Sequence, residues 1–216
     1  MKSFLRNNGL SIVLATLFVL FLGGQTNFGW LHYNDEQEQH HQPQVGLAQY
    51  LTTSAFGEAV FENWESEFLQ MGVYVVLTAF LFQKGSAESK DPQESEEEAS
   101  KSPLRDAPLP VKKGGLLLKL YNHSLSLALA ALFGASFIGH AICGAGAYNE
   151  EAAQHGREQL STFQYLGTSQ FWFESFQNWQ SEFLAILSIV VLSIWLREKG
   201  SPESKPVTAS HSQTGR

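Results

Sequence analysis

The stretch Asn63-Trp64-Glu65-Ser66-Glu67-Phe68-Leu69 returns 115 residues later as Asn178-Trp179-Gln180-Ser181-Glu182-Phe183-Leu184. A second stretch, Lys84-Gly85-Ser86-Ala87-Glu88-Ser89-Lys90, returns at the same offset as Lys199-Gly200-Ser201-Pro202-Glu203-Ser204-Lys205. Aligned without a gap, residues 5–90 and 120–205 share about 39 identities in 86 positions, which is far more than chance supplies. The chain therefore contains two tandem copies of one unit, and this unit is too long to be a solenoid repeat.

Each copy contains two apolar stretches that are candidates for membrane-spanning helices. No charged side chain occurs in residues 10–31 or in residues 120–149, and a helix needs about 20 apolar residues to cross the hydrocarbon core. The second stretch of each copy is shorter, but it follows a polar-aromatic segment that can carry the helix through the headgroup region. The sequence predicts four transmembrane helices, at about residues 9–31, 62–83, 124–147 and 177–197.

The distribution of positive charge predicts the orientation of these spans. Of the 14 Lys and Arg residues, 13 lie in the first six residues, in residues 84–119 or in the tail that begins at Arg197. The positive-inside rule places both termini and the central linker in the cytoplasm, and the two long loops outside. Because each copy has an even number of spans, we expect an all-α membrane protein of two parallel two-helix repeats. A pseudo-two-fold axis along the membrane normal would relate them.

A cleavable signal peptide is the alternative interpretation of the first helix, because Lys2 and Arg6 precede an apolar run. The segment Gly23-Gly24-Gln25-Thr26 offers no clear cleavage site, and an equivalent of the whole element occurs inside the chain at residues 125–146. We therefore expect the first helix to be retained.

The copies set the domain boundaries. We assign residues 1–84 to repeat 1, residues 85–115 to a cytoplasmic linker, residues 116–199 to repeat 2 and residues 200–216 to a disordered tail. The linker is rich in Ser, Glu, Lys and Pro and carries an acidic run at residues 94–98. Such a composition buries too little apolar surface to offset the entropy of ordering, so we expect a flexible tether. A docking role for the acidic run is the alternative.

Several polar residues are identical in both copies and lie mostly on the predicted outer side. Residues that survive drift after duplication are candidates for a structural or functional role. The tryptophans of the shared motif, Trp64 and Trp179, are predicted to anchor their helices at the membrane interface. Thr53 or Ser54, and their equivalents Thr168 or Ser169, are natural helix N-caps. The shared polar pairs are Asn34/Asn149, Glu36/Glu151, His40/His155, Asn63/Asn178 and Glu67/Glu182.

Two of these pairs resemble metal ligands. Glu36 and His40 are four residues apart, as are Glu151 and His155, and carboxylate with imidazole can coordinate zinc or another divalent ion. However, the spacing matches no recognised zinc motif, and Cys143, the single cysteine, lies elsewhere. The sequence therefore predicts no metal site and no cofactor.

Glu67 and Glu182 lie just inside the predicted outer boundary, where an unpaired charge is unfavourable. His140, whose counterpart in the first copy is Gln25, could pair with Glu182 and relay protons. The alternative is a structural hydrogen bond that fixes the packing of the helices. We favour the structural interpretation.

In combination, four motifs resemble a family of bacterial integral membrane proteins of unknown function. They are Asn-Gly-Leu-Ser at residues 8–11, Tyr-Asn-x-Glu-x-x-x-His, Asn-Trp-x-Ser-Glu-Phe-Leu and Lys-Gly-Ser-x-Glu-Ser-Lys. The resemblance covers nearly all of both copies. It implies a multi-pass protein of the bacterial cytoplasmic (inner) membrane with two related halves, and it implies no activity.

The sequence favours a non-enzymatic protein of envelope assembly or stress that works through its extracytoplasmic loops. A small transporter or channel between the repeats is the alternative, although the predicted spans contain no mid-membrane charge. No nucleophile elbow, phosphate loop or metalloprotease motif indicates an enzyme. We expect contact with the lipid bilayer, allow a homo-oligomer, and expect no nucleic-acid partner because no basic surface is present.

Overall fold

The computed structural model describes residues 2–89 and 107–215. Within these ranges the chain forms helices, turns and loops without any β-strand, which confirms the predicted all-α class. Most of the predicted linker, including its acidic run, lies outside the described residues. The described helices are α1 (Lys2–Asn7), α2 (Gly9–Gln39), α3 (Leu47–Tyr50), α4 (Ser54–Phe80), α5 (Leu109–Lys113), α6 (Gly115–Asn122), α7 (Ser124–Gln154), α8 (Thr162–Tyr165) and α9 (Ser169–Leu192).

The two longest helices, α2 and α7, begin and end at equivalent positions of the two copies. Each has 31 residues, or about 46 Å at 1.5 Å per residue. Among the described helices, these two are long and apolar enough to cross a membrane. On α2 the side chains of Leu14, Phe18 and Phe21 are exposed, and an exposed apolar surface of this kind is typical of contact with lipid or protein.

Helices α4 and α9 each join a polar-aromatic half to an apolar half, over 27 and 24 residues. Both begin at equivalent serines, directly after a threonine. Thr53 Oγ1 accepts a hydrogen bond from the backbone N–H of Phe56 at 3.2 Å. Thr53, not Ser54, thus caps α4 and satisfies one of the donors left unpaired in a first helical turn. Neither α4 nor α9 belongs to the two helices that qualify as candidate spans, so four spans stay a prediction.

By internal contacts the chain divides into two compact units. Unit 1 comprises Met1–Phe61 and Gly139–Thr168, and unit 2 comprises Glu62–Ile138 and Ser169–Arg216. Unit 1 contains the loops that follow α2 and α7, together with α3 and α8. Unit 2 contains most of α4 and α9 and the segments that follow them. This division by contacts does not test the predicted boundaries of the two copies or the pseudo-two-fold axis. Both stay predictions.

The repeated Lys-Gly-Ser-x-Glu-Ser motif forms the same turn at both of its occurrences in unit 2. Its glycines, Gly85 and Gly200, have φ angles of 86° and 88°, a conformation that only glycine adopts without strain. The first serine accepts a hydrogen bond from the N–H of the glutamate two residues later, at 3.1 Å in each copy. The second serine accepts from the N–H six residues before it, at 3.0 Å and 2.9 Å. Local turn structure therefore accounts for this shared motif.

The segment predicted to be a disordered tail contains a buried lysine in unit 2. Lys205 is 1% exposed. Its ammonium group donates to the backbone carbonyl oxygens of Gly85, Ser210, His211 and Gln213 at 2.5 to 3.2 Å. The bond to Gly85 joins the segment after α9 to the loop after α4, and the other three lie within the segment. The prediction of disorder concerns mobility and stays a prediction.

Candidate functional site

Helices α2 and α7 end in the same hydrogen-bond pattern, within unit 1. The second residue past the cap donates its N–H to the carbonyl five residues back, at 2.7 Å after α2 and 2.8 Å after α7. The residue before it donates to the carbonyl three residues back, at 3.0 Å and 3.4 Å. This is the Schellman motif, which needs one residue in the left-handed region. His41 and Gly156 occupy that position with φ of 57° and 64°. The caps, His40 and His155, are therefore held at equivalent places.

A side-chain amide closes the loop that follows each of these helices. Asn34 Nδ2 donates to the carbonyl oxygen of Val45 at 3.0 Å, and its Oδ1 accepts from the N–H of Val45 at 2.8 Å. Asn149 makes the same two bonds with Leu160, at 2.8 Å and 2.7 Å. In both copies the shared asparagine therefore fixes the path of its loop.

A tyrosine from each short helix packs against a glycine of the preceding long helix. A Cβ atom on Gly29 would overlap the hydroxyl oxygen of Tyr50, and one on Gly144 would lie 2.7 Å from Cε1 of Tyr165. Tyr50 is 5% exposed and Tyr165 is fully buried. The absence of a side chain at each glycine thus allows α3 and α8 to dock onto α2 and α7.

The docked tyrosines also contact the ring of the tyrosine in the shared Tyr-Asn pair, in a tilted arrangement. Ring centroids of Tyr33 and Tyr50 lie 5.6 Å apart with planes inclined at 48°. The equivalent rings of Tyr148 and Tyr165 lie 5.9 Å apart at 48°. Burial raises the pKa of the Tyr50 phenol above its ordinary value of 10.0, and the neighbouring Tyr33 adds to the rise. Equivalent tyrosine contacts therefore hold the loops that follow α2 and α7.

The structure brings the two shared histidines together. The imidazole rings of His40 and His155 are in edge-to-face contact, with centroids 5.4 Å apart and planes at 76°. Their carboxylate neighbours have separate partners: Glu36 Oε1 lies 3.4 Å from His32 Nε2, and Glu151 Oε1 lies 3.6 Å from a guanidinium nitrogen of Arg157. These four predicted residues thus lie in one exposed part of unit 1.

A second group of polar side chains lies in the interior of unit 1. His140 is fully buried, and it offers a ligating nitrogen within 4.8 Å of a carboxylate oxygen of Glu58. Glu58 Oε1 also accepts a hydrogen bond from the hydroxyl of Tyr165 at 3.4 Å. Carboxylate, imidazole and phenol are groups that can exchange protons. The sequence singled out His140 and overlooked its carboxylate neighbour.

In unit 2, α9 donates hydrogen bonds to α4 from the shared Asn-Trp pair. Asn178 Nδ2 donates to Glu62 Oε1 at 2.5 Å, and Trp179 Nε1 donates to Glu65 Oε1 at 3.1 Å. Glu65 is fully buried. The indole N–H of Trp179 therefore binds a buried carboxylate, a role in addition to its predicted place at the membrane interface.

The remaining predicted residues divide between exposed and packed positions. Asn63 and Glu67 are exposed, Trp64 is half-buried, and all three belong to unit 2. Glu182 uses its backbone carbonyl, which accepts a hydrogen bond from the side-chain amide of Gln70 at 2.8 Å. Because His140 belongs to unit 1 and Glu182 to unit 2, a relay between them stays a prediction.

Sequence reasoning overlooked three carboxylates because it looked for residues shared by both copies. In the second copy their positions carry a phenylalanine and two glutamines. For Glu62 and Glu65 the available signal was the change from an acid in one copy to an amide in the other, and the acid is the acceptor to which the shared Asn178 or Trp179 donates. The three residues and their counterparts are Glu58/Phe173, Glu62/Gln177 and Glu65/Gln180.

Comparison with known proteins identifies a family and no closer relative. No curated protein and no solved structure matches the chain. A family model matches it over residues 1–216, and its description assigns no activity. The chain therefore belongs to the family described as Domain of unknown function (DUF6766).

Proposed function

We propose that this protein is a four-span protein of the bacterial cytoplasmic membrane that acts without catalysis, through two loops on the outer face, in envelope assembly or stress. Helices α2 and α7 supply the spans at residues 9–31 and 124–147, and both are long and apolar enough for this. Helix α4, which ends at Phe80, and helix α9, which ends at Leu192, supply most of the other two spans, at residues 62–83 and 177–197.

The charge distribution supports the proposed orientation. Between α2 and α4 there is no Lys or Arg, and between α7 and α9 Arg157 is the only one. The other positive residues flank the opposite ends of the spans, which fits both termini in the cytoplasm.

The observation that carries the proposed function is that both loops are closed by the same bonds and present exposed polar residues. Backbone fixed in advance loses little entropy when a partner binds, so a preorganised loop binds more tightly than a mobile one. Function also concentrates on loops that a rigid scaffold positions. Glu36, His40, Glu151 and His155 are exposed on this surface, and the asparagine and tyrosine contacts beneath them hold it in place.

Cysteine labelling in intact cells tests the topology. In a Cys143→Ala background, Gln42→Cys should react with a membrane-impermeant maleimide before lysis, whereas Ser201→Cys should react only after lysis. Both parent residues are in loops or turns, so neither substitution interrupts a helix. Labelling of Gln42→Cys only after lysis would overturn the orientation.

The role of the loops is tested by complementing a deletion strain. A chain that carries Glu36→Gln, His40→Asn, Glu151→Gln and His155→Asn should insert normally and fail to restore growth under envelope stress. A matched chain with Glu198→Gln and Lys199→Gln, on the other predicted side, should restore growth. Full complementation by the loop variant would contradict the proposal.

One observation favours a transporter or channel as the second candidate. Glu65 is a fully buried carboxylate in α4, near the predicted outer boundary of a span, and ionisable residues at such positions commonly mark ion or proton paths. Glu67, two residues further along the same helix, is exposed and provides a matched control.

Proteoliposomes that contain a pH-sensitive dye test this candidate. If a proton or ion path runs through Glu65, Glu65→Gln should abolish the flux while Glu67→Gln keeps it. Absence of flux from the unaltered chain across a range of ion gradients would remove the candidate.

A further inference from the structure

The two shared histidines are placed as a pair of metal ligands. Each is the C-cap of a long helix, and each helix ends in the same Schellman motif. The backbone therefore fixes the positions of the two Cα atoms from which the imidazole side chains extend. Their rings meet edge to face at 5.4 Å between centroids. The copies thus contribute one imidazole each to a single place in unit 1.

The separation of the rings fits a shared ion. With metal–nitrogen bonds of about 2.0 Å, a ring centroid lies about 3.2 Å from the ion, and two rings at a tetrahedral angle lie about 5.2 Å apart. The observed separation of 5.4 Å is close to this value.

The hydrogen bonding of His155 prepares one nitrogen for a metal. Its Nδ1 lies 2.9 Å from the backbone carbonyl oxygen of Glu151. A carbonyl oxygen can only accept, so this contact assigns the proton to Nδ1 and leaves the lone pair of Nε2 for a metal. Fixing of one imidazole nitrogen by a backbone carbonyl is the arrangement commonly found behind histidine ligands.

Two carboxylates would complete the coordination once their side chains rotate away from their present contacts. Glu36 and Glu151 precede the two histidines by one helical turn, on the same helix faces. Each now contacts an exposed cationic or imidazole group at 3.4 or 3.6 Å, and exposed pairs of this kind contribute little free energy. Loss of these contacts on binding a metal ion would therefore cost little.

We propose that His40 and His155, assisted by Glu36 and Glu151, bind one divalent transition-metal ion of the zinc class on the loop surface of unit 1. Two imidazoles and two carboxylates form a donor set suited to tetrahedral Zn²⁺. The inference deepens the proposed function by naming a ligand of the same surface, and an ion there would tie the loops of the two copies together.

Calorimetric titration of Zn²⁺ into the full chain in detergent micelles, with any polyhistidine tag removed, tests the site. One ion per chain is expected. His40→Ala or His155→Ala should each weaken binding by about tenfold or more, because loss of even an outer-shell partner weakens a metal site by about 10- to 100-fold. His41→Gly, which changes the adjacent exposed histidine, should leave the affinity unchanged.

Substitution of Co²⁺ for Zn²⁺ gives a second readout that does not depend on stability. A tetrahedral site gives intense visible absorption, which His40→Ala should remove. Zinc binding with unchanged affinity in the double variant His40→Ala, His155→Ala would overturn the site. So would half an ion per chain with zinc-dependent dimers, which would place the ligands between two chains. Neither readout depends on topology or on complementation, so the site can fail while the proposed function stands.

Discussion

The side-chain amide of Asn34 pairs with both backbone groups of Val45, as donor to its carbonyl oxygen and acceptor from its N–H. The two hydrogen bonds resemble those between paired backbone residues, and they tie the end of the helix to the loop that follows it. Asn149 and Leu160, which are also eleven residues apart, form the same pair of hydrogen bonds in the second copy.

Replacement of this asparagine should destabilise unit 1. Asn34→Leu keeps the approximate volume and removes both bonds, leaving two backbone groups without partners, so the free energy of unfolding should fall by about 1–3 kcal/mol. Asn149→Leu should produce a similar loss because its bonds are equivalent. Thermal unfolding in mild detergent measures the change. Asn27→Leu, at an exposed position of the same helix, should have little effect. An equal loss there would contradict a stabilising role for the two Asn34 hydrogen bonds.

A methyl group on Gly29 should clash mainly with one atom, the hydroxyl oxygen of Tyr50. A Cβ there would overlap the hydroxyl oxygen of Tyr50, so Gly29→Ala should lower the free energy of unfolding by about 1–3 kcal/mol. Tyr50→Phe removes that oxygen and should recover much of the loss in the double variant, which a double-mutant cycle measures.

The control for this prediction lies on the same helix. A Cβ on Gly24 has no neighbouring atom within 4 Å, so Gly24→Ala should leave stability unchanged or raise it. In the second copy the overlap at Gly144 involves a ring carbon of Tyr165 as well as its hydroxyl. Tyr165→Phe should therefore rescue Gly144→Ala less completely. Failure of Tyr50→Phe to recover any of the stability lost in Gly29→Ala would show that the hydroxyl contact is not what limits Gly29.

The all-α class could be predicted because apolar runs and a shared register are properties of the sequence itself. Helices α2 and α7 begin at Gly9 and Ser124, and α4 and α9 at Ser54 and Ser169, each pair separated by the 115-residue offset. What the alignment of copies could not predict is which side chains meet. Trp179 donates to Glu65, whose counterpart is a glutamine, so that bond depends on a difference between the copies.

The candidate site was predicted in part. His40, His155 and the two asparagines are shared residues, and the structure places all four at the C-terminal ends of α2 and α7, beside the loops that follow. Glu58 was overlooked because its counterpart is Phe173, and only tertiary packing brings it near His140 and Tyr165. A residue whose partner lies about 80 or 107 positions away leaves no local pattern in the sequence.

The left-handed residue that follows each long helix predicts opposite effects on stability for substitutions in the two copies. His41 has φ of 57° while its counterpart, Gly156, has 64°, and a side chain in this conformation costs about 1–2 kcal/mol that glycine avoids. His41→Gly should therefore raise the free energy of unfolding by up to about 1 kcal/mol, and Gly156→Ala should lower it by about as much. Thermal midpoints measure both. A loss of stability in His41→Gly would show that its exposed imidazole makes a contact that matters.

Burial of Tyr50 predicts a dependence of stability on alkaline pH. Its pKa is raised in the folded state, so above pH 10 the folded chain binds more protons than the unfolded chain. Its contribution to stability is therefore fully present below pH 10 and declines as the pH rises through the folded pKa. Unfolding midpoints between pH 8 and about pH 11 should fall more steeply for the unaltered chain than for Tyr50→Phe. Tyr121→Phe, at an exposed residue, should keep the steeper slope, and parallel slopes for the unaltered chain and Tyr50→Phe would refute a buried, protonated phenol at this position.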